Sequence, residues 1–318
     1  MRLSIIGGSG FIGSRLCDLL KAENEIDFSV LDKKSSMSHS SEYVDVNVLD
    51  LDRLKLLHEG KSAIVNLAAE HKDDVSPVSL YYDVNVDGAR NICEAAEANN
   101  IDKIIFTSTV AVYGLNKPNP DENFETDPFN DYGKSKLEAE KVFIEWQKRD
   151  PEKRSLTIIR PTVVFGEKNR GNVYNLLKQI ASGKFLRIGN GANIKSMAYV
   201  GNVVSFINHC IKNKDKGIHI YNYVDKPDLT VKELISVCEN SLARKVPGIS
   251  IPYGLGMVVG YGFDFLSKIT GKSLPVSSVR IQKFCATTQF DATKAHSAGF
   301  KPPFSLQEGL DQTLKHEF

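Results

Sequence analysis

The chain has 318 residues, of which 42% are hydrophobic and 25% are charged, and its formal net charge is +1. This composition is ordinary for a globular protein and provides a sizeable core for one or two domains. Because the charge is balanced, no excess of basic residues is available for phosphate backbones, and nucleic acid is not an expected partner.

The first half of the chain alternates short apolar runs with stretches of helical periodicity, which predicts βαβ units and a parallel sheet. The expected helices are 11–20, 51–58, 80–98 and 134–146, and the expected strands are 3–6, 28–31, 43–48, 63–69, 103–107 and 156–160. In such a doubly wound α/β fold, the carboxyl ends of the strands share one edge, where ligands bind.

After Pro161 the alternation weakens and proline and glycine become denser, with helices expected at 174–182 and 201–212 and a strand at 219–223. We therefore predict two domains. Residues 1–165 form a dinucleotide-binding domain, and residues 166–318 form a smaller α+β domain that mainly binds substrate and is partly interleaved with the first. No signal peptide is expected, because the first strand begins at Arg2 without a preceding apolar region.

Residues 246–263 form an uncharged run that contains two prolines and five glycines and is followed directly by Asp264. Its length is at the lower limit for a membrane span, and its prolines argue against one. A helix packed into the second domain and an apolar helix lying on a surface both remain open.

The five cysteines are scattered without CxxC spacing, and the seven histidines form no HExxH or HxxxH pair. We interpret the cysteines as reduced thiols and expect no metal site.

A glycine-rich turn, GGSGFIG at residues 7–13, joins the first predicted strand to the first predicted helix. Glycines at this spacing permit a tight turn, close approach of a pyrophosphate and close packing of helix on strand. The helix N-terminus offers free N–H groups to the phosphates. We expect a dinucleotide here, bound by Gly7, Gly10, Phe11, Ile12 and Gly13.

Asp32 ends the second predicted strand, where its carboxylate can accept hydrogen bonds from the adenosine ribose and would repel a 2′-phosphate. This favours NAD over NADP, although Lys33 and Lys34 follow directly and are able to pair with such a phosphate. The ends of the third and fourth strands supply further cofactor candidates, which are Asn47, Val48, Leu67, Ala68 and Ala69.

Tyr132 and Lys136 stand four residues apart in YGKSK and therefore share a helical face. We expect the adjacent ammonium and a cationic nicotinamide to lower the pKa of Tyr132 from its ordinary value of about 10. Lys136 can also hold the nicotinamide ribose. Thr109, with Ser108 beside it, follows the fifth strand and can hydrogen-bond a substrate hydroxyl.

These groups fit the transfer of a hydride at a carbinol carbon. Tyr132 takes the proton of a sugar hydroxyl while the hydride passes to NAD⁺, and the ketone then rotates and takes the hydride back on its other face. This sequence is an epimerisation. It consumes no cofactor, so NAD⁺ is expected to stay tightly bound.

Seven motifs, in this order, resemble the extended short-chain dehydrogenase/reductase superfamily and its NAD-dependent epimerase/dehydratase family. They are GGSGFIG, NLAA, the Asn-Val of YYDVNVDGAR, FTSTVAVYG, YGKSK, RPTVVFG and FDATKAHSAGFKP. The resemblance implies a Rossmann fold and adds Asn85, Thr107, Pro161 and Val163 to the cofactor-binding residues. Dehydratases of this family place Asp-Glu after the catalytic threonine, whereas this chain has Val110 and Ala111 there, which argues against water elimination.

Residues 68–86, 110–123, 169–185, 195–202, 221–229 and 276–294 are similar to bacterial 4-epimerases that act on a sugar linked to undecaprenyl diphosphate in O-antigen and lipopolysaccharide assembly. This resemblance implies interconversion of GlcNAc and GalNAc in the cytoplasm, with peripheral contact at the inner membrane left open. It also implies a homodimer formed through the helices that begin near residues 80 and 134. The implied substrate contacts are Thr109, Arg170, Asn172, Lys195 and Arg280, with Lys195 standing where the family carries an arginine.

Three alternatives remain open from the residues alone. They are the same chemistry on UDP-GlcNAc or UDP-glucose, a 4-ketosugar reductase with net redox and exchangeable cofactor, and a non-catalytic dinucleotide sensor. The presence of Thr109, Tyr132 and Lys136 argues against the sensor, because a binder needs no acid/base group.

Overall fold

A computed structural model describes the chain except residues 36–37, 73–74, 184, 247–249 and 271–276 and the side chains of Arg280 and Lys283. The α-helices are α1 (Phe11–Glu23), α2 (Leu51–Leu57), α3 (Ser79–Tyr82), α4 (Gly88–Ala98), α5 (Asp131–Lys148), α6 (Asn172–Ala181), α7 (Val200–Lys212), α8 (Val231–Leu242), α9 (Tyr253–Thr270), α10 (Ser278–Cys285), α11 (Thr293–Ser297) and α12 (Leu306–Glu317). A π-helical turn at Asp83–Asp87 joins α3 to α4, and a 3₁₀ turn at Val110–Tyr113 follows the fifth strand.

The strands are β1 (Arg2–Ile6), β2 (Asp27–Asp32), β3 (Tyr43–Asp45), β4 (Ala63–Asn66), β5 (Lys103–Thr107), β6 (Ser155–Pro161), β7 (Val163–Phe165), β8 (Arg187–Ile188), β9 (Ile194–Lys195), β10 (Met197–Tyr199), β11 (Gly217–Tyr223), β12 (Leu229–Thr230) and β13 (Ser250–Ile251). Across the described residues, seven of them form one parallel sheet in the order β11-β6-β5-β4-β1-β2-β3. The doubly wound order with β1 inside the sheet confirms the predicted fold class.

Helices α2, α4 and α5 cover one face of this sheet. Their apolar side chains form a continuous core with the sheet, in which Phe106 of β5 and Phe143 of α5 lie 4.7 Å apart between ring centroids. Helices α1 and α7 pack against each other, and α7 also contacts β5. Burial of this apolar surface is the main stabilising term for the sheet.

Two predicted strands are shorter than expected because side chains take over the hydrogen bonds of the backbone. β4 ends at Asn66, since the amide side chain of Asn66 accepts the N–H of Ala68 (3.1 Å). β3 ends at Asp45, and the side chain of Asn47 then accepts the N–H of Leu49 in a local turn (3.1 Å). Such local bonds compete with a strand ladder.

The described chain divides into two compact units. Unit 1 comprises Met1–Val164, Val200–Val224 and Phe290–Pro303, and unit 2 comprises Phe165–Tyr199, Asp225–Gln289 and Phe304–Phe318. The helix and the strand expected at 201–212 and 219–223 follow residue 165 in the chain, in the region that the sequence predicts to be partly interleaved with the first domain. Both belong to unit 1, because β11 extends the sheet beside β6 and α7 packs on α1.

Unit 2 has its own aromatic centre at Tyr199. The ring of Tyr199 lies 5.7 Å from that of Phe165 and 5.4 Å from that of Phe304. A Cβ on Gly309 would lie 2.5 Å from this tyrosine ring, so glycine permits α12 to approach it. The α12 N-terminus is fixed by a capping box of Ser305 and Glu308.

The uncharged run of residues 246–263 overlaps α9, which begins at Tyr253 and continues past the run to Thr270. The helix packs within unit 2 through its buried residues, Gly256 and Gly260, and its other residues are half-buried or exposed. Residues 247–249 lie outside the described part. In the ranges that the structure describes, no helix combines the length and hydropathy needed to cross a membrane.

Candidate active site

The three glycines of the first turn have different roles in the structure. Gly7 has φ +78°, and a Cβ there would lie 2.5 Å from the backbone nitrogen of Ala68. A Cβ on Gly13 would lie 2.5 Å from Cα of Gly8. At Gly10 the nearest neighbour of a Cβ is the carbonyl of Gly7 at 3.2 Å. Protein packing therefore requires Gly7 and Gly13, whereas Gly10 keeps the N-terminus of α1 accessible to a ligand.

The N-terminus of α1 fits an anionic ligand. No side chain caps Gly10, and no acidic residue stands in the first turn of the helix. The hydroxyl of Ser9 is buried without a hydrogen-bond partner in the described structure. Free N–H groups and an unpaired hydroxyl at a helix N-terminus are the donors that a pyrophosphate needs, so the residues present fit a dinucleotide.

Asp32 lies beside this turn at the end of β2. One carboxylate oxygen accepts the N–H of Ser9 (3.1 Å) and the other accepts the N–H of Lys34 (3.0 Å). Each oxygen keeps acceptor capacity for a ribose hydroxyl. The carboxylate is thus held in place by the turn that would bind the pyrophosphate.

The candidates at the next strand ends divide into loop and core residues. Leu67, Ala68 and Ala69 form the half-buried loop after β4, against which Gly7 packs, while Asn47 is exposed. Val48 is 8% exposed and would be 2.9 Å from a Cβ on Gly88 of α4, so its side chain belongs to the core.

Asn85 is a buried connector between two parts of the site. Its side-chain amide donates to the carbonyl of Glu70 (3.1 Å) and to the hydroxyl of Ser135 (2.9 Å), and its oxygen accepts the N–H of Glu70 (3.0 Å). It therefore ties the loop after β4 to helix α5. The π-helical turn that carries Asn85 interrupts the predicted helix 80–98 at this point, as such turns often do at functional sites.

The remaining cofactor candidates lie at the ends of β5 and β6. Thr107 donates its hydroxyl to the carbonyl of Asn66 (3.2 Å), which joins β5 to β4. Pro161 is buried at the end of β6, and Val163 in β7 is 39% exposed.

Helix α5 brings Tyr132 to Thr109. The side chain of Asn130 caps the helix by accepting the N–H of Gly133 (2.9 Å). A Cβ on Gly133 would lie 2.8 Å from the carbonyl of Ala111, so this glycine permits the helix to approach the 3₁₀ turn. The Thr109 side chain accepts the N–H of Ala111 (3.1 Å) and is hydrogen-bonded to the side chain of Tyr132. Two of the predicted catalytic residues are thus in direct contact.

Burial raises the pKa of Tyr132 to about 12, while the hydrogen bond with Thr109 acts in the opposite direction and nearby Tyr81 adds to the rise. The sequence predicted that the adjacent ammonium lowers this pKa, and the structure does not bear this out for the protein's own side chains. The physical reason is that desolvation of the phenolate outweighs the groups around it.

Lys136 is 1% exposed, and its Nζ lies 4.1 Å above the centroid of the Phe106 ring. Burial lowers the pKa of Lys136 to about 7, and the carboxylate of Glu140 opposes this effect. Near neutral pH, Lys136 is therefore present in both its ammonium form and its neutral amine form. Ser108, 4% exposed, has a buried hydroxyl without a hydrogen-bond partner in the described structure.

A buried polar network that the sequence analysis did not predict adjoins Lys136. Glu140 stands one helical turn after the lysine and accepts two hydrogen bonds from Arg160 of β6 (2.9 and 2.7 Å). Arg160 also donates to the Tyr113 hydroxyl (2.8 Å), which in turn donates to the side chain of Asn222 (2.8 Å). The i, i+4 spacing of Lys136 and Glu140 was the available signal, but the arginine comes from the strand that follows α5, 20 residues further along the chain.

The four substrate candidates in unit 2 lie at the start of α6, on β9 and on α10. Arg170 pairs with Glu317 of α12 (2.7 Å) and lies 4.3 Å from the Tyr174 ring, while Asn172 begins α6 and is exposed. Lys195 donates to the carbonyl of Ala286 (2.6 Å), and burial lowers its pKa to about 8. Arg280 is on α10, and its side chain lies outside the described residues.

All five cysteines are free thiols, with four buried and Cys285 half-buried. In the described residues, no group of three or more His, Cys, Asp or Glu side chains is arranged to hold a metal ion.

Comparison with known proteins gives a family match over most of the chain. The sequence profile of the NAD dependent epimerase/dehydratase family matches residues 3–223. The N-acetyl-alpha-D-glucosaminyl-diphospho-ditrans,octacis-undecaprenol 4-epimerase of Escherichia coli O157:H7 is 58% identical over 316 residues, which cover 99% of this chain and 94% of that protein.

More distant relatives extend the comparison. The UDP-glucose 4-epimerase of Vibrio cholerae is 27% identical over 98% of this chain and 94% of its own length. The crystal structure of UDP-glucuronic acid 4-epimerase from Bacillus cereus in complex with NAD aligns with a TM-score of 0.78 at 20% identity, covering 99% of this chain and 98% of that one.

Proposed function

Because the chain belongs to the NAD-dependent epimerase/dehydratase family, we propose that it inverts C4 of an N-acetylhexosamine carried on undecaprenyl diphosphate, interconverting GlcNAc and GalNAc. The predicted family and cofactor, NAD, are confirmed by this membership. The observation that carries the proposal is the contact of Tyr132 with Thr109 on a helix whose next turn buries Lys136. That arrangement suits proton transfer at a sugar hydroxyl.

The chain's own residues bind the cofactor and move the proton. The turn at 7–13 and Asp32 hold the dinucleotide, and Thr109 hydrogen-bonds the sugar hydroxyl beside Tyr132. NAD⁺, when bound, supplies a hydride acceptor and a positive charge. Tyr132 accepts the hydroxyl proton as the carbon is oxidised, and it returns the proton when the 4-keto sugar is reduced on its other face. The two steps balance, so no net oxidant is consumed and NAD⁺ remains tightly bound.

Unit 1 supplies the groups for NAD and for chemistry, and we assign substrate contacts to unit 2 through Arg170, Asn172, Lys195 and Arg280. The lipid-linked sugar is preferred over a UDP-sugar because the 58% identical relative is named for it, whereas the UDP-glucose 4-epimerase is 27% identical. A homodimer through α3–α4 and α5, located at the cytoplasmic face of the inner membrane, belongs to the same proposal.

The test offers purified enzyme, without added reductant, GlcNAc-diphospho-undecaprenol and UDP-GlcNAc in parallel and measures GalNAc formed from each. Conversion of the lipid-linked sugar alone is expected. Conversion of UDP-GlcNAc alone would move the assignment to nucleotide-sugar epimerases, and no product from either would favour a 4-ketosugar reductase. In the same assay, Tyr132→Phe is expected to retain NAD and lose turnover, and an active Tyr132→Phe would refute the proton-transfer role.

A further inference from the structure

Helix α9 exposes an unusual concentration of large apolar side chains. Of the seventeen large hydrophobic residues that are exposed within the described chain, eight lie on this one helix. Single exposed hydrophobic residues are normal on a protein surface, whereas a contiguous group marks an interaction surface. The eight are Tyr253, Leu255, Val258, Val259, Tyr261, Phe265, Leu266 and Ile269, with exposed fractions from 43% to 66%.

Helical geometry places four of these residues on one stripe. Leu255, Val258, Phe265 and Ile269 recur at helical spacing, with Gly262 between them, over a length of about 21 Å. The opposite side packs through glycine. A Cβ on Gly256 would lie 2.8 Å from the side chain of Ile188, and one on Gly260 would lie 2.8 Å from Cα of Ser278. The helix thus lies close on unit 2 and directs its large apolar side chains outward.

The charges along residues 244–268 favour contact with an anionic surface. Between residues 246 and 267 the single charged residue is Asp264. Its carboxylate accepts the N–H of Ser278 (3.2 Å) and faces the packed side. Cations stand at both ends of the segment, with Arg244 and Lys245 before it and Lys268, exposed, in the last turn of the helix. The side chain of Lys245 is 93% exposed, at 3.9 Å from Glu239.

A bilayer fits this surface better than a second copy of the chain. One helix face covers a few hundred Å², whereas a stable protein interface uses roughly 800 Å² per partner. An anionic phospholipid layer can bury an apolar stripe among its acyl chains, and its headgroups attract nearby cations.

We propose that α9 lies in the plane of an anionic phospholipid bilayer surface, with its outward stripe among the acyl chains and Lys268 at the headgroups. This gives the membrane contact of the proposed function a defined element. It takes no residue from the active site, so vesicle binding measured without sugar substrate tests it separately from the 4-epimerase activity.

The first test is flotation of the purified full-length enzyme with vesicles of phosphatidylethanolamine and phosphatidylglycerol, with pure phosphatidylcholine as the neutral comparison. Phe265→Glu places a charge at a position that is 66% exposed on the stripe. Leu56→Glu on α2, at a position that is 64% exposed, is the matched control. We expect binding to the anionic vesicles to weaken about tenfold for Phe265→Glu and to be unchanged for Leu56→Glu, with equal Tm for both.

Equal flotation of Phe265→Glu and wild type would overturn the proposal, as would equal binding of wild type to anionic and neutral vesicles. Sedimentation velocity without vesicles tests the alternative that a second copy of the chain covers α9. If Phe265→Glu converts a dimer to a monomer and wild type does not float, α9 is an interface between copies and the membrane assignment is wrong.

A second test reads insertion directly. The one native tryptophan, Trp146, is fully buried and out of reach of a quencher in the lipid, so quenching reports on a tryptophan added at position 265. Phe265→Trp is expected to lose emission when the vesicles carry brominated acyl chains, and Leu56→Trp is expected to keep it. Similar quenching for the two variants would contradict insertion of the stripe.

Discussion

The charge of Lys136 depends on one nearby carboxylate, that of Glu140. Burial favours the neutral amine and lowers the pKa to about 7, whereas Glu140 favours the ammonium. Glu140 is in turn held by two hydrogen bonds from Arg160. We interpret Glu140 as a positioning residue, which acts on the substrate only through Lys136.

We predict that Glu140→Gln lowers kcat above about pH 7 and leaves it unchanged well below that pH. Without the carboxylate, nothing opposes the effect of burial, so the pKa of Lys136 falls further below about 7 and the ammonium is lost earlier as pH rises. A shift of one pH unit corresponds to about 1.4 kcal/mol. The measurement is the kcat–pH profile of the purified enzyme.

The matched control for this variant is Glu145→Gln on the exposed side of the same helix, where Glu145 pairs with Lys148 (2.9 Å). Its profile should equal that of wild type. Glu140→Gln leaves the buried Arg160 without its carboxylate, so Tm is expected to fall, and Tm with NAD content shows whether the enzyme remains folded. A lower Tm without any displacement of the profile would leave Glu140 with a structural role alone.

Thr109→Val is expected to lower kcat across the pH range below the pKa of Tyr132. The Thr109 hydrogen bond opposes the burial that raises the pKa of Tyr132, so its loss raises that pKa further and reduces the phenolate at any given pH. We expect kcat near neutral pH to fall about 100-fold. Thr109→Ser, which keeps the hydroxyl, should restore most of it, and a profile of Thr109→Val that coincides with wild type would contradict the role of Thr109.

Among the elements, the turn between β1 and α1 contains one glycine required for packing, Gly13, and one expected to matter for ligand binding, Gly10. We predict that Gly13→Ala destabilises the protein by about 1–3 kcal/mol, because its Cβ would lie 2.5 Å from Cα of Gly8. Gly10→Ala, with φ −72° and its nearest neighbour at 3.2 Å, should cost about 1 kcal/mol or less. Gly10→Ala should nevertheless weaken NAD binding about tenfold, because the methyl group occupies the approach to the helix N-terminus.

Urea unfolding measures the change in stability, and titration of the NAD-stripped protein with NAD measures the change in binding. Equal loss of stability in both glycine variants would mean that packing alone explains the turn.

Much of this element scale is predictable from sequence because it depends on local patterns. The glycine turn, the alternation of strands and helices along the chain, and the spacing of Tyr132 and Lys136 can all be read from neighbouring residues. The π-helical turn at Asp83–Asp87 is not, since it accompanies side-chain bonds from Asn85 to Glu70 and Ser135. The bond between Glu140 and Arg160 joins a helix to a strand beyond the next loop, and no local period reports it.

For the molecule as a whole, the interleaving of the two units limits where the chain can be cut into domains that fold alone. Unit 1 needs Val200–Val224 and Phe290–Pro303, which follow the first segment of unit 2. We predict that a chain ending at Phe165 does not unfold cooperatively, because β6 then lacks β11 and α1 lacks α7. Thermal unfolding by circular dichroism and thermolysin digestion check this against the full-length protein. A sharp transition with protease resistance in the shortened chain would show that the first 165 residues fold alone.

The pairing of β11 with β6 also has a consequence for synthesis on the ribosome. β6 emerges early, but its partner emerges only after segment Phe165–Tyr199 and α7 have been made. Until then β6 is an open edge whose N–H and C=O groups are available to other chains. Completion of the sheet is therefore a late, long-range event, and the nascent protein is most exposed to aggregation before Tyr223 has been added.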